Sequence, residues 1–340
     1  MKPLLNLPFL SHGHATLTNL DESARFYREF LGFEVVKTSP KTLVARLGSN
    51  TVVIGVTLGE RVLAKLERKW LHNAHFGLDV ASKESVIRAR ELCVENRNKY
   101  KIRAVGELQD YGEQLCFLVE DLDGNFWEIL NNLPDGYSTK FPKTSECDLS
   151  YSLLSFQEPP IASQDLRTDT SILPTGLMSH LTVEVIDINK SRGFYERLFG
   201  LEIVELGPKR LLARLNSVAV LDIIETDTEV REHKTHNHIG FDVAGPAEVD
   251  SARELIVPHQ DDLGIRQIRK ISSSHGTYGF TFMDLDFNVW QIEDYPRGGY
   301  YWMFEQGGDL KNPFQPNVSG VQDWHELVDP NTYEYDAELA

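Results

Sequence analysis

The sequence predicts an α+β fold built from four βαβββ modules in two tandem halves. Three observations predict it: an internal duplication, a strand–helix–three-strand rhythm in each quarter, and a composition typical of globular chains. The duplication is the strongest. Ser11-His12, Ser23, Phe26-Tyr27, Gly32, Glu34 and Ala45-Arg46-Leu47 recur at a constant offset of 168 residues, as Ser179-His180, Ser191, Phe194-Tyr195, Gly200, Glu202 and Ala213-Arg214-Leu215. Further on, His75-x-Gly77-x-Asp79, Asp121-Leu122-Asp123 and Trp127 recur at an offset of 163, as His238-x-Gly240-x-Asp242, Asp284-Leu285-Asp286 and Trp290. A fixed internal period is the mark of a repeated structural unit. The halves are placed at 1–133 and 173–300, joined by a Ser/Thr/Pro-rich connection at 134–172 and followed by a tail at 301–340 that is expected to wrap the surface.

Each element of the rhythm has its own reason. Leu10–Thr18 alternates as a strand. Asp21–Leu31 places Ala24, Phe26-Tyr27 and Phe30-Leu31 at helical spacing, with Asn19 or Asp21 as the cap and Gly32 as the terminator. Short strands follow near 33–38, 42–47 and 51–57. His75–Val80 opens the second module as a strand. A helix over about 83–97 leads to strands near 101–107, 114–119 and 126–131.

Composition bounds the function. At 340 residues the chain has material for two cores, with 41% hydrophobic and 25% charged residues. A net charge of −17 disfavours a general phosphate-backbone binder, so no nucleic-acid partner is expected. No run is long enough to span a bilayer, and the apolar patch in the first residues is too short for a secretory signal. A cytoplasmic protein without a membrane partner is therefore expected, and a homo-oligomer is a possible form. Cys93, Cys116 and Cys147 show neither metal-ligand spacing nor a disulfide framework.

The stretch that carries chemistry is Asn125–Asn131, after the turn Asp121-Leu122-Asp123-Gly124. Strand alternation puts Trp127 and Ile129 on one face, and Glu128 with Phe126 and Leu130 on the other. A carboxylate among apolar neighbours needs a metal ion, an arginine or solvent, because burying an unpaired charge is costly.

The βαβββ module, the Phe-Tyr pair followed by Leu31-Gly32-Phe33, and the Asp-x-Asp-Gly-Asn turn before a strand glutamate resemble the vicinal oxygen chelate superfamily. That superfamily includes glyoxalase I, extradiol dioxygenases and bleomycin- or fosfomycin-resistance proteins. The resemblance implies two half-open-barrel domains of paired modules, with metal ligands on the first and last strands. Carried onto this chain, it implies His12, His75 and Glu128, with His180 in place of His12 if modules pair across the halves. Two histidines and one carboxylate form the facial triad of non-haem iron oxygenases. Fe(II) is the implied cofactor, with Mn(II) as a substitute, and a catechol- or hydroquinone-like aromatic plus O2 as substrates.

Residues 51–57 lack the acid that would supply a fourth ligand, which favours an extradiol-type dioxygenase over a glyoxalase-like lyase or isomerase. A non-catalytic ligand-binding or resistance protein is the third reading. In the second half Gln291 replaces the glutamate, with Glu293 two residues on. Strand positions expected to carry an acid/base histidine and tyrosine hold neither; Leu118 stands at the tyrosine position. His14, Tyr111, His275 and Tyr278 are the remaining acid/base candidates.

Overall fold

A computed structural model describes residues 3–5, 7–57, 74–132, 137, 140–141, 171–226, 237–274, 277–294, 300 and 304. In the first half, β1 (Phe9–Leu17) leads through Asn19 into α1 (Leu20–Arg25), which continues as a π turn over Phe26–Phe30. The Asn19 side chain accepts from the Glu22 amide and caps the helix. Three strands follow, β2 (Glu34–Lys37), β3 (Thr42–Arg46) and β4 (Val52–Thr57). The second module runs β5 (Phe76–Val80), α2 (Lys83–Glu95), β6 (Ala104–Val105), β7 (Gln109–Asp110), β8 (Leu115–Glu120) and β9 (Phe126–Asn131). The third is β10 (Leu177–Val185), α3 (Ile188–Phe199), β11 (Glu202–Gly207), β12 (Arg210–Arg214) and β13 (Val220–Glu225). The fourth is β14 (Ile239–Val243), α4 (Pro246–Ile256), β15 (Gln267–Ile268), β16 (Ser272–Ser274), β17 (Thr277–Met283) and β18 (Val289–Asp294). These are the four predicted modules, and the two mixed sheets they form are not closed. The tail from 301, apart from Phe304, and most of the 134–172 connection lie outside the described residues.

Sheet formation crosses the halves. One sheet runs β15-β17-β18-β14-β1-β4-β3-β2, joining module four to module one; the other runs β11-β12-β13-β10-β5-β9-β8-β6, joining module three to module two. The joints are antiparallel, with His12 opposite Gly240 in one and His180 opposite Gly77 in the other. Each joint carries a register shift just before its histidine, between Leu10 and His12 and between Met178 and His180. Such irregularities re-aim side chains. The stretches 1–133 and 173–300 are thus units of repetition, and each contributes one module to each sheet.

What binds consecutive modules is the helix layer and the Asp-x-Asp turn. Asp121 accepts from the Asp123 and Asn125 amides at 2.8 Å and from Trp127 Nε1 at 2.9 Å. Asp123 accepts from the Thr18 amide at 2.7 Å and from Ser23 Oγ at 2.6 Å, tying module two to the helix of module one. Asp284 and Asp286 repeat the arrangement with Trp290, the Ile186 amide and Ser191. The recurring Ser, Tyr and Asp residues are therefore structural: they satisfy buried polar groups between the two layers. Trp127, Ile129, Trp290 and Ile292 belong to the main core between the sheets. The alternate residues of β9 and β18 face the concave sides.

Candidate metal centre

On the concave face of the β5–β10 sheet, three donor atoms converge. His75 Nε2 and His180 Nε2 are 3.2 Å apart; Glu128 Oε2 lies 3.3 Å from His180 Nε2 and 3.7 Å from His75 Nε2. The register explains the meeting. Gly77 pairs with His180 on one side and with Glu128 on the other, so both stand on one face of neighbouring strands, and His75 lies two residues before Gly77. Gly77 is required because a Cβ there would come within 1.9 Å of the His180 ring. Donors about 2.0–2.1 Å from one ion at 90–110° from each other would be roughly 3.0–3.4 Å apart. Two of the three separations fall in that range and the third, at 3.7 Å, is slightly longer, so a small closure of Glu128 toward His75 would let one divalent cation bridge all three donors.

Groups behind the donors fix their roles. Ser179 Oγ lies 3.1 Å from His180 Nδ1 and also bonds Asp79. Asp79 in turn accepts from Asn132 Nδ2 at 2.9 Å on both oxygens. A serine that donates to Asp79 can accept from His180 Nδ1–H, which leaves Nε2 with a lone pair for the ion. Burial pushes the Asp79 carboxyl up to about 6. Burial also opposes ionisation of Glu128, but contacts from His180 and His75 outweigh it and hold that carboxyl well below its usual range. Thr182 Oγ1 sits 3.0 Å from His75 Nε2.

Around the triangle lies a wall of Cys116, Leu130, Leu212, Val220, Tyr137 and Phe141. Burial and the neighbouring Glu128 push the Cys116 thiol well above its ordinary value, so it stays neutral. The Tyr137 ring meets the His180 ring edge-on, with centroids 5.4 Å apart. Arg210 binds Asp222 through Nε and Nη2, at 2.9 and 2.6 Å, and Nη2 reaches the Tyr137 hydroxyl at 3.3 Å. Burial works against the Arg210 charge, and the bonds to Asp222 more than restore it.

The mirror position in the other sheet is different. Gln291 Oε1 contacts His12 Nε2 at 3.3 Å and also contacts His238 Nε2, whose ring stacks on His14 with centroids 3.8 Å apart. Behind His12, Glu293 and Asp242 approach Nδ1 at 3.6 and 3.8 Å. Burial pushes Glu293 up to about 7, and its Oε1 accepts from Tyr300.

Several expectations change with the geometry. His12 does not join His75 and Glu128: it pairs with module four, and His180 takes its place. His14 lies in the His12 cluster, not beside Glu128. Tyr111 is 63% exposed and gives its hydroxyl to Gln109, on the rim of the sheet. Tyr278 bonds Asp250 on α4, on the helix side of its sheet, away from both clusters. His275 lies outside the described residues. Glu293 stands behind His12 rather than replacing Gln291 at its Nε2. The acid sought in 51–57 belongs instead to β13, the strand that flanks His180. Asp222 stands there, paired with Thr182, but Arg210 holds its carboxylate.

Sequence reasoning missed Tyr137, Arg210, Asp222 and Cys116. A signal existed for the first. Tyr137 and Phe141 recur as Tyr300 and Phe304 at the same offset of 163, and Tyr300 stands over His12 at 5.4 Å as Tyr137 does over His180.

Comparison with known proteins agrees with this architecture. Residues 10–129 match the model of the Glyoxalase/Bleomycin resistance protein/Dioxygenase superfamily. That stretch belongs to the superfamily, the vicinal oxygen chelate proteins. A trivalent organoarsenical cleaving enzyme from Bacillus sp. (strain MD1) is 29% identical over 119 residues, which is 35% of this chain and 70% of that protein. The structure of glyoxalase I from Zea mays superposes with a TM-score of 0.53 at 16% identity, over 88% of this chain and 94% of that one. A Bacillus subtilis protein described as a candidate dioxygenase gives a TM-score of 0.53 at 13% identity, over 86% of each chain. These likenesses establish the fold. No helix among the described residues is long and apolar enough to cross a membrane.

Proposed function

We propose that the chain is an extradiol-type oxygenase whose resident ion, Fe(II) with Mn(II) as a substitute, is held by His75, Glu128 and His180. The observation that carries this reading is the triangle of two imidazole nitrogens and one carboxylate oxygen. A bound iron supplies O2 activation and a place for two adjacent substrate oxygens. Everything else falls to the chain. Glu128, held ionised by its neighbours, offsets ionic charge. Leu130, Leu212 and Val220 make an apolar wall suited to a small aromatic ring. Burial raises the Tyr137 phenol well above its usual range, so its hydroxyl is a proton holder at the rim. Arg210, neutralised by Asp222, positions that hydroxyl. In this reading Tyr137 supplies the acid/base group that the strand positions lack, and such groups commonly contribute about 10²–10⁴ in rate.

The test is O2 uptake by anaerobically purified, iron-loaded protein with a panel of catechols and hydroquinones. Uptake that disappears in Glu128→Ala and His180→Ala and persists in His12→Ala supports the proposal. Full activity in Glu128→Ala overturns it. Turnover without O2 consumption favours the lyase or isomerase reading. The organoarsenical-cleaving relative supports a second substrate class, so an aromatic trivalent arsenical belongs in the panel. The Cys116 thiol beside Glu128 is the one soft donor on that wall among the described residues.

A further inference from the structure

The cluster around His12 is not a vacant copy of the first site. Two positions have exchanged chemistry between the duplicates. Where the first site has Glu128, the second has the amide Gln291. Where the first has Thr182, the second has His14, at the offset of 168. The carboxylate is lost and an imidazole is gained, so the number of available donors is kept while their charge falls. One nitrogen from each of His12, His14 and His238 lies within 4.8 Å of the others.

Hydrogen bonding sets the tautomer of His12. Ser11 Oγ donates to the Gly240 carbonyl at 3.0 Å and lies 2.9 Å from His12 Nδ1. Its one proton is thereby used, so it accepts from Nδ1–H. His12 Nε2 then presents a lone pair toward Gln291 Oε1 and His238 Nε2. Behind the ring, both carboxylate oxygens of Asp242 are buried without a hydrogen-bond partner, and Glu293 is buried beside it. As at the first joint, a glycine is shaped to the histidine: a Cβ at Gly240 would come within 2.0 Å of the His12 ring.

We infer that His12, His14 and His238, with the Gln291 carbonyl, form a second cation site that takes zinc or a similar nitrogen-preferring divalent ion. Imidazole donors suit zinc, copper and nickel, whereas manganese and magnesium prefer carboxylates and water. Each chain then carries two chemically distinct centres, one with a carboxylate ligand and one with neutral ligands only. This inference does not depend on the reaction assigned to the first site.

The experiment is metal content by elemental analysis after the metal-depleted full chain is incubated with Zn(II) and desalted. The expected values are about two ions per chain in the wild type, about one in His14→Ala, about one in Glu128→Ala and none in the double variant. His238→Ala is the second probe of the same site, and near-ultraviolet circular dichroism reports whether each variant keeps its packing. Repeating the titration with Mn(II) should fill only the Glu128 site. Zinc content unchanged from wild type in both folded His14→Ala and His238→Ala overturns the inference, whatever Glu128→Ala does. Loss of zinc in those variants with no change in Glu128→Ala supports it while removing the first site's assignment.

Discussion

Gly77→Ala is the sharpest perturbation of the proposed centre, because it adds one methyl group and removes no ligand atom. The new Cβ would stand 1.9, 2.1 and 2.6 Å from Cε1, Nδ1 and Nε2 of His180. Restoring van der Waals separation requires the ring to retreat by about 1.5 Å. His180 is fully buried, with Tyr137 and His75 rings against it, so the retreat displaces Nε2 from the triangle. Metal–ligand distances tolerate only about 0.2 Å. Losing supporting groups alone costs 10–100-fold in metal affinity, so loss of a ligand should cost at least about 100-fold. Overpacking should also remove about 1–3 kcal/mol of stability, leaving the chain folded. The assay is competition for Fe(II) against a chelator of known affinity, together with O2 uptake. Gly240→Ala is the matched control, since it inflicts the same clash on His12 and should leave the His75–Glu128–His180 triangle intact. Equal iron affinity in Gly77→Ala and wild type would refute the assignment of His180 as a ligand.

Three further outcomes follow from the structure. Asp121→Ala leaves the Trp127 indole and the Asp123 and Asn125 amides without their acceptor, and should cost about 2–4 kcal/mol in denaturant unfolding. Arg210→Met leaves the buried Asp222 carboxylate unpaired; since Arg210 is itself partly exposed, a loss of about 2 kcal/mol is expected in the same assay, together with a raised KM from the mispositioned Tyr137. Asp79 prefers to be protonated in the fold, with its carboxyl raised to about 6, so the stability attributable to it is present below about pH 4 and lost as pH rises through about 6. Unfolding midpoints of metal-depleted protein measured from pH 4 to 7 should therefore fall more steeply in wild type than in Asp79→Asn.

Much of this was legible in the sequence because repetition is. The duplicated His-x-Gly-x-Asp, the Asp-x-Asp turn and the helix spacing locate all four modules, and strand alternation alone puts Glu128 opposite Trp127. The partnership of modules stays open in the sequence, with both pairings allowed, since hydrophobic alternation on β1 and β10 is the same whichever strand lies alongside. Yet the glycines held a clue: a histidine strand needs a glycine opposite it, and Gly77 can serve only a histidine from another strand. His12 and His180 both fit that description, so only the fold chooses. Tyr137 and Phe141 escaped notice because they follow the last strand, in a stretch whose Ser, Thr and Pro content reads as connection. Asp222 was missed for a different reason. The fourth-strand acid is expected in module one, at 51–57, whereas the strand beside His180 belongs to module three.

The cross-paired sheets also bear on how the chain is made. A nascent chain that ends near residue 133 has β1 hydrogen-bonded on one side only, by β4, and β5 on one side only, by β9. Both open edges await strands about 100 residues or more downstream. Until β10 arrives, His75 and Glu128 lack His180 as a third donor, so the proposed centre is incomplete during early synthesis. Two such unfinished chains present complementary unpaired edges, the condition under which strands are exchanged between molecules. The full-length polypeptide brings both partners onto one thread, and it makes an internal counterpart of what would otherwise be a dimer of half-chains.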